Sequence, residues 1–256
     1  MQWATARKFV LATTLVITLL VSAIQMLYSR NWGVSLPVIV YPIAATDDPS
    51  IHRYIDSLSQ RDFEIIDTWM SREAARYKVP NPTPTDVTLG PRLDELPPAF
   101  PTSEHLAWLI LWQLRMRVWA AFNAPGTFWS WRTVRMYLVL HRPEDKQVLP
   151  HSLGLQKGLI GLVHGFADDR QTAQNTVVVA HELLHTVGAS DKYDYIGNPV
   201  FPHGYASPNR KPLHPQRSAE IMAGRIAISP YSSVMAHSLR SSRIGPTTAR
   251  EINWIE

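Results

Sequence analysis

The chain has 256 residues, 45% of them hydrophobic and 18% charged, enough for one domain of ordinary size plus an appendage. It contains no cysteine, which excludes disulfides and any cysteine-switch form of latency. The formal charge of +4 and pI near 9.4 come from Lys and Arg residues that are scattered rather than clustered, which argues against nucleic-acid binding and reads as a solvated basic surface.

Residues 9–29, FVLATTLVITLLVSAIQMLYS, carry no charge. At about 1.5 Å per residue such a run reaches about 30 Å, the thickness of a bilayer core. Arg7 and Lys8 precede it, and positive charge on the short side predicts an N-terminal transmembrane helix with residues 1–8 in the cytoplasm. Residues 30–256 would then form a domain outside it, periplasmic or at the cell surface. Val21-Ser22-Ala23 offers the alternative of a cleaved signal peptide and a secreted protein, although the uncharged run continues past Ala23 and no Ala-x-Ala is present.

Further along, Leu36 to Ile43 is a β-branched run that predicts a buried strand. Asp47, Asp48 and Pro49 open a helical region, and Phe63, Ile66, Trp69, Met70 and Ala74 recur at helical spacing within Asp62 to Tyr77. Pro80 to Pro101, with seven prolines, reads as loop. Thr102 and Ser103 supply caps for a helix over Glu104 to Asn123, whose Trp108, Trp112 and Trp119 are expected in the core. Phe128, Trp129 and Trp131 are expected to pack at a domain edge, with the lining of a substrate cleft as the alternative. Val134 to His141 and Gly158 to Phe166 predict two more strands, and a long helix follows. Tyr195 to Arg217 is a proline-punctuated loop long enough to wall a cleft, with His203, Tyr205 and His214 as candidate substrate contacts against the simpler reading of surface residues. A short helix over Thr247 to Ile255, capped by Thr247 or Thr248, closes the chain behind the site. This order predicts an α+β domain with a mixed sheet packed on helices.

The chemistry concentrates in Thr176 to Asp194, TVVVAHELLHTVGASDKYD. His181 and His185 are four residues apart, so on a helix they stand about 40° apart around the axis and about 6 Å along it, and both imidazoles can reach one ion. Glu182 lies between them, placed to address a water without being a ligand. Gly188 tolerates the left-handed turn that ends a helix, and three residues on Asp191 can come back as a third ligand. Two imidazoles and a carboxylate leave a tetrahedral zinc ion one open position for water, the arrangement of a catalytic rather than a structural site. Val177, Val178, Val179, Ala180, Leu183, Leu184 and Val187 surround the motif and suit a helix buried at the centre of a domain.

HELLHTVGASD resembles the zinc-binding signature of metzincin metallopeptidases within the zincins, in the variant with Asp as third ligand. Snapalysin-type peptidases are similar in that respect, and immune inhibitor A peptidases through Asp191-Lys192-Tyr193-Asp194. The resemblance implies a zincin fold around a central metal-binding helix, one zinc ion on His181, His185 and Asp191, and Glu182 as general base. It also implies a methionine turn beneath the metal. Ala219-Glu220-Ile221-Met222-Ala223-Gly224 places Met222 there, and Ser232-Ser233-Val234-Met235-Ala236-His237 offers Met235 as the alternative. No Met-x-Tyr follows, so a tyrosine near the metal stays unassigned. Gluzincins take a downstream glutamate as third ligand, which keeps Glu220 open as the alternative to Asp191.

The expectation is therefore a membrane-anchored zinc metallopeptidase acting on protein or peptide substrates. The alternatives are a membrane-tethered regulatory or binding module that holds zinc without hydrolysis, and a structural protein with no metal.

Overall fold

The computed structural model describes residues 27–101, 105–124, 132–144, 149–155 and 159–256, with 7–9, 12–13, 16, 20 and 23–24 of the N-terminal run. Strand β1 (Leu36–Ala44) is an inner strand of the sheet. It pairs in parallel with β2 (Thr85–Leu89) on one side and β3 (Val134–His141) on the other, and β3 pairs in parallel with β5 (Ile160–Phe166). The three-residue β4 (Leu153–Leu155) joins antiparallel to β5, giving a mixed five-stranded sheet in the order β2-β1-β3-β5-β4. Parallel strands must be covered on both faces, and the near-continuous apolar runs of β1 and β3 meet that requirement.

Helices α1 (Pro49–Ser57), α2 (Gln60–Arg76) and α4 (Thr172–Thr186) cover one face. Their Ile51, Phe63, Ile66, Met70, Val179 and Leu183 share a core with Val38, Val40, Met136 and Leu138 of the sheet. Helix α3 (Leu106–Asn123) covers the other face, its Trp112, Met116 and Ala120 against Tyr41, Tyr137, Val139 and Leu162. The alternation of side chains along each strand thus divides one sheet between two cores.

Local chemistry sets the helix starts. Asp48 accepts the Ser50 N–H at 2.7 Å at the head of α1. Ser59 and Asp62 form a capping box that starts α2 and separates the helical region into two. After α4 the chain is irregular, stitched by two small sheets, β6 (Ala219–Glu220) with β9 (Ser242–Arg243) and β7 (Arg225–Ser229) with β8 (Ser232–Met235). Helix α5 (Pro246–Glu251) follows. Trp32 packs edge-on against Trp254 at 5.7 Å and donates to Ile252 O at 2.6 Å, closing the N-terminal side of the domain onto its C-terminus.

The α+β architecture with a mixed sheet and helices is present, but the transmembrane helix is not supported. Spanning a bilayer takes about 20 consecutive apolar residues in one helix. No helix among the described residues is long and apolar enough for that. The predicted span over 9–29, and the single-pass placement built on it, are corrected accordingly. Residues 10–11, 14–15, 17–19, 21–22 and 25–26 of that run lie outside the described residues.

Smaller differences have local causes. Strand β2 emerges from the stretch read as loop because its prolines fall before Thr85 or after Leu89, leaving TDVTL free to alternate between buried and exposed. The closing helix starts at Pro246, and Gly245 rather than a threonine caps it. Of the tryptophans expected in the core, Trp112 is buried while Trp108 is 55% exposed. The caps expected at Thr102 and Ser103, and the packing expected of Phe128, Trp129 and Trp131, lie outside the described residues.

Candidate metal centre

Helix α4 crosses the sheet beneath β4 and β5, and glycine makes the close approach feasible. Gly154 of β4 pairs with Gly161 of β5. A Cβ on Gly154 would stand 2.5 Å from Glu182 O and inside contact distance of His185 Cβ. The helix ends in a Schellman motif: Gly188 takes a φ of 107°, its N–H donates to His185 O at 3.1 Å, and the Ala189 N–H donates to Leu184 O at 3.0 Å. Arg30 adds a bond from Nε to Val187 O at 2.9 Å. The turn brings Ala189 O back to His185 and sends Asp191 toward both imidazoles.

Backbone carbonyls fix the two rings. His185 Nδ1 lies 2.8 Å from Ala189 O, and His181 Nδ1 lies 3.0 Å from Ile221 O. A carbonyl only accepts, so in each ring Nδ1 carries the proton and Nε2 turns its lone pair inward. The two Nε2 atoms are 3.1 Å apart, and Asp191 Oδ1 is 3.2 Å from that of His181 and 3.1 Å from that of His185. Three acceptors this close repel unless positive charge, from a metal ion or from a proton on a ring, lies among them. Ligands about 2.0–2.1 Å from a tetrahedral ion stand about 3.3–3.4 Å from one another, close to the spacing of this triangle.

His181, Glu182 and His185 form a group that could hold a metal ion, their ligand atoms all within 4.8 Å of one another. Within that neighbourhood Asp191 is the nearer carboxylate. Glu182 Oε1 stands 4.0 Å from His181 Nε2, and Glu182 Oε2 is buried without a hydrogen-bond partner among the described residues.

The electrostatics agree with the geometry. Burial pushes the His181 pKa down, but Asp191, Glu182 and Ile221 O outweigh it and bring it above the ordinary value. Partial burial pushes Asp191 up, yet the two imidazoles hold it well below the usual carboxylate range. Glu182 is raised by its own burial, which the neighbouring imidazoles and the Gly154 amide facing the carboxylate only partly offset.

The other expected site residues separate clearly. Glu220 is fully buried and turned away: Oε1 accepts Gly245 N–H at 3.1 Å and Thr248 Oγ1–H at 2.6 Å, while Oε2 accepts Met222 N–H at 2.6 Å and Ala223 N–H at 3.1 Å. It pins a turn rather than facing the imidazoles. Met222 is in the core within that turn, one residue after the carbonyl that holds His181. Met235 is exposed and lines the cleft. Neither His203, Tyr205 nor His214 lines it: His203 Nδ1 contacts Thr247 Oγ1, and Tyr205 and His214 bond each other at 2.9 Å.

A cleft of about 370 Å³ opens over His181 and Glu182, bounded by Pro150, Ser152, Tyr193 and Met235. Tyr193 was visible in the sequence only as part of Asp-Lys-Tyr-Asp. Its phenol faces Asp191, and burial together with the Asp191 and Glu182 charges pushes its pKa up to about 12. Gly154 is the other missed residue; its signal was the glycine pattern of 154–165, which periodicity alone does not interpret. No family model matches the chain, and no curated protein matches it.

Proposed function

We propose that the protein is a zinc-dependent metallopeptidase in which His181, His185 and Asp191 hold the ion and Glu182 is the general base. One observation carries the reading: two imidazole nitrogens and a carboxylate oxygen 3.1–3.2 Å apart, both rings pinned through Nδ1, beside the buried carboxylate of Glu182. Two imidazoles and a carboxylate with a fourth position open to a cleft is a donor set that suits zinc. Bound there, zinc supplies Lewis acidity, polarising a carbonyl and bringing a water pKa down to about 7.

The chain's own groups do the rest. Glu182 takes the proton of the attacking water and returns it to the departing amine nitrogen, so one side chain acts as base and then as acid. Burial, which raises its affinity for a proton, favours the first half. Tyr193, kept protonated by its neighbours, is placed to donate to the oxygen on which negative charge develops. The outer edge of β4 has no partner strand among the described residues and offers backbone groups to an extended peptide.

The test is metal analysis of the purified protein, followed by a quenched peptide library with and without a chelator. Zinc at one equivalent and chelator-sensitive cleavage are expected. Protein that stays metal-free after zinc is supplied sinks the reading, and zinc without cleavage leaves the non-catalytic binding module in its place.

A further inference from the structure

Asp191 sits on irregular chain past the end of α4 with its side chain 43% exposed; the Tyr193 phenol faces the carboxylate, but no regular helix or strand holds it toward the two imidazoles. Its neighbours are held from elsewhere. Glu251, the last residue of α5, accepts from Ser190 Oγ at 2.6 Å through Oε1, and from Ser190 N at 3.1 Å and Lys192 Nζ at 2.6 Å through Oε2. Lys192 is only 4% exposed, and its Nζ donates also to Ser190 O at 2.7 Å. A single carboxylate, 60 residues downstream of Asp191, thus ties both residues that flank the third corner of the acceptor triangle.

The same short helix is tied to the first corner. Glu220 joins Gly245 and Thr248, at the start of α5, to the amides of Met222 and Ala223, and the carbonyl just before Met222 holds His181 Nδ1. The Lys192 N–H closes the circuit on Met222 O at 3.0 Å. Helix α5 therefore braces the partner of one imidazole with one end and the neighbours of Asp191 with the other.

We infer that Glu251 is a positioning residue for the metal centre, fixing Asp191 by clamping Ser190 and Lys192 rather than by touching the ion. The inference rests on the assignment of Asp191 as a ligand. Groups that orient a ligand in this way typically alter metal affinity by about 10- to 100-fold when removed.

The experiment compares wild-type protein with Glu251→Ala, Glu251→Gln and Lys192→Met. Zinc affinity is read by chelator competition, the cobalt(II) spectrum of the substituted site is recorded, and the metal-free proteins are melted alongside. Ile51→Val, in the core of α1, provides a variant destabilised at a distance. The expected result is a zinc affinity about 10- to 100-fold weaker in Glu251→Ala, a smaller loss in Glu251→Gln, a changed cobalt spectrum in both, and wild-type affinity in Ile51→Val. Unchanged affinity and spectrum in the Glu251 variants overturn the inference. So does an affinity loss that Ile51→Val reproduces at equal stability. Should Glu251→Ala fail to fold, Glu251→Gln and Lys192→Met decide by the same readings. Wild-type protein that takes up no metal fails the metallopeptidase reading itself, a result distinct from a wild type that binds and a Glu251 variant that binds equally well.

Discussion

Replacing Glu182 by Gln tests the division of labour between ligand and base. The substitution keeps the side chain's shape and removes its ability to take a proton. Glu182 Oε1 is 4.0 Å from the nearest imidazole nitrogen, against 3.1–3.2 Å for Asp191, so the carboxylate stands outside the ligand triangle and the metal should remain bound. Among the described residues its other oxygen has no hydrogen-bond partner, and no second carboxylate lines the cleft to replace it. General-base catalysis contributes about 10²–10⁴ in rate, which at about 1.36 kcal/mol per decade is about 3–5 kcal/mol of barrier. The assay is cleavage of a quenched peptide identified from the library, with zinc content measured on the same samples. Turnover should fall at least about 100-fold while zinc stays near one equivalent. Residual activity above about a tenth of wild type would refute the assignment of the base. Loss of zinc together with activity would instead make Glu182 a ligand.

Gly154→Ala should destabilise the fold by about 1–3 kcal/mol, because the added carbon meets the Glu182 backbone rather than a movable side chain, and a melting curve unchanged from wild type would contradict that packing. Met222→Ala should cost about 2–5 kcal/mol in chemical denaturation, whereas the exposed Met235→Ala should stay within about 0.5 kcal/mol and act on the KM for peptides; the reverse ranking would exchange their places. For Glu251, burial pushes the pKa up but the bonds from Lys192 and Ser190 bring it below the ordinary 4.5. A depressed carboxylate stabilises the fold above its unfolded value and loses that contribution as the pH falls through its folded value. The melting difference between wild type and Glu251→Gln in the metal-free proteins should therefore be full at neutral pH, shrink below pH 4.5 and vanish further down; a difference that persists in acid would contradict the clamp.

What could be read from the residues, and what could not, divides along the range of the interactions. His181, Glu182 and His185 were legible because one helix fixes their spacing, and Gly188 because a positive φ narrows the choice of residue. Long strands such as β1 and β3 announced themselves by apolar content, while the three-residue β4 was too short to carry a pattern. The choice between Asp191 and Glu220 was not legible in principle. Both are carboxylates downstream of the motif, and what turns Glu220 away is a set of amides and a hydroxyl at Met222, Ala223, Gly245 and Thr248, two of them reached only after β7 and β8 have folded back. Glu251 illustrates the same point from the other side: a glutamate at the end of a short helix reads as surface until the fold sets it against Ser190 and Lys192. For the N-terminal run, the uncharged length predicted a span, and no helix among the described residues is long and apolar enough to cross a membrane. A candidate metal centre of this kind therefore has a local half, legible as a motif, and a non-local half. Removing Glu251 probes the second while leaving every residue of the first in place.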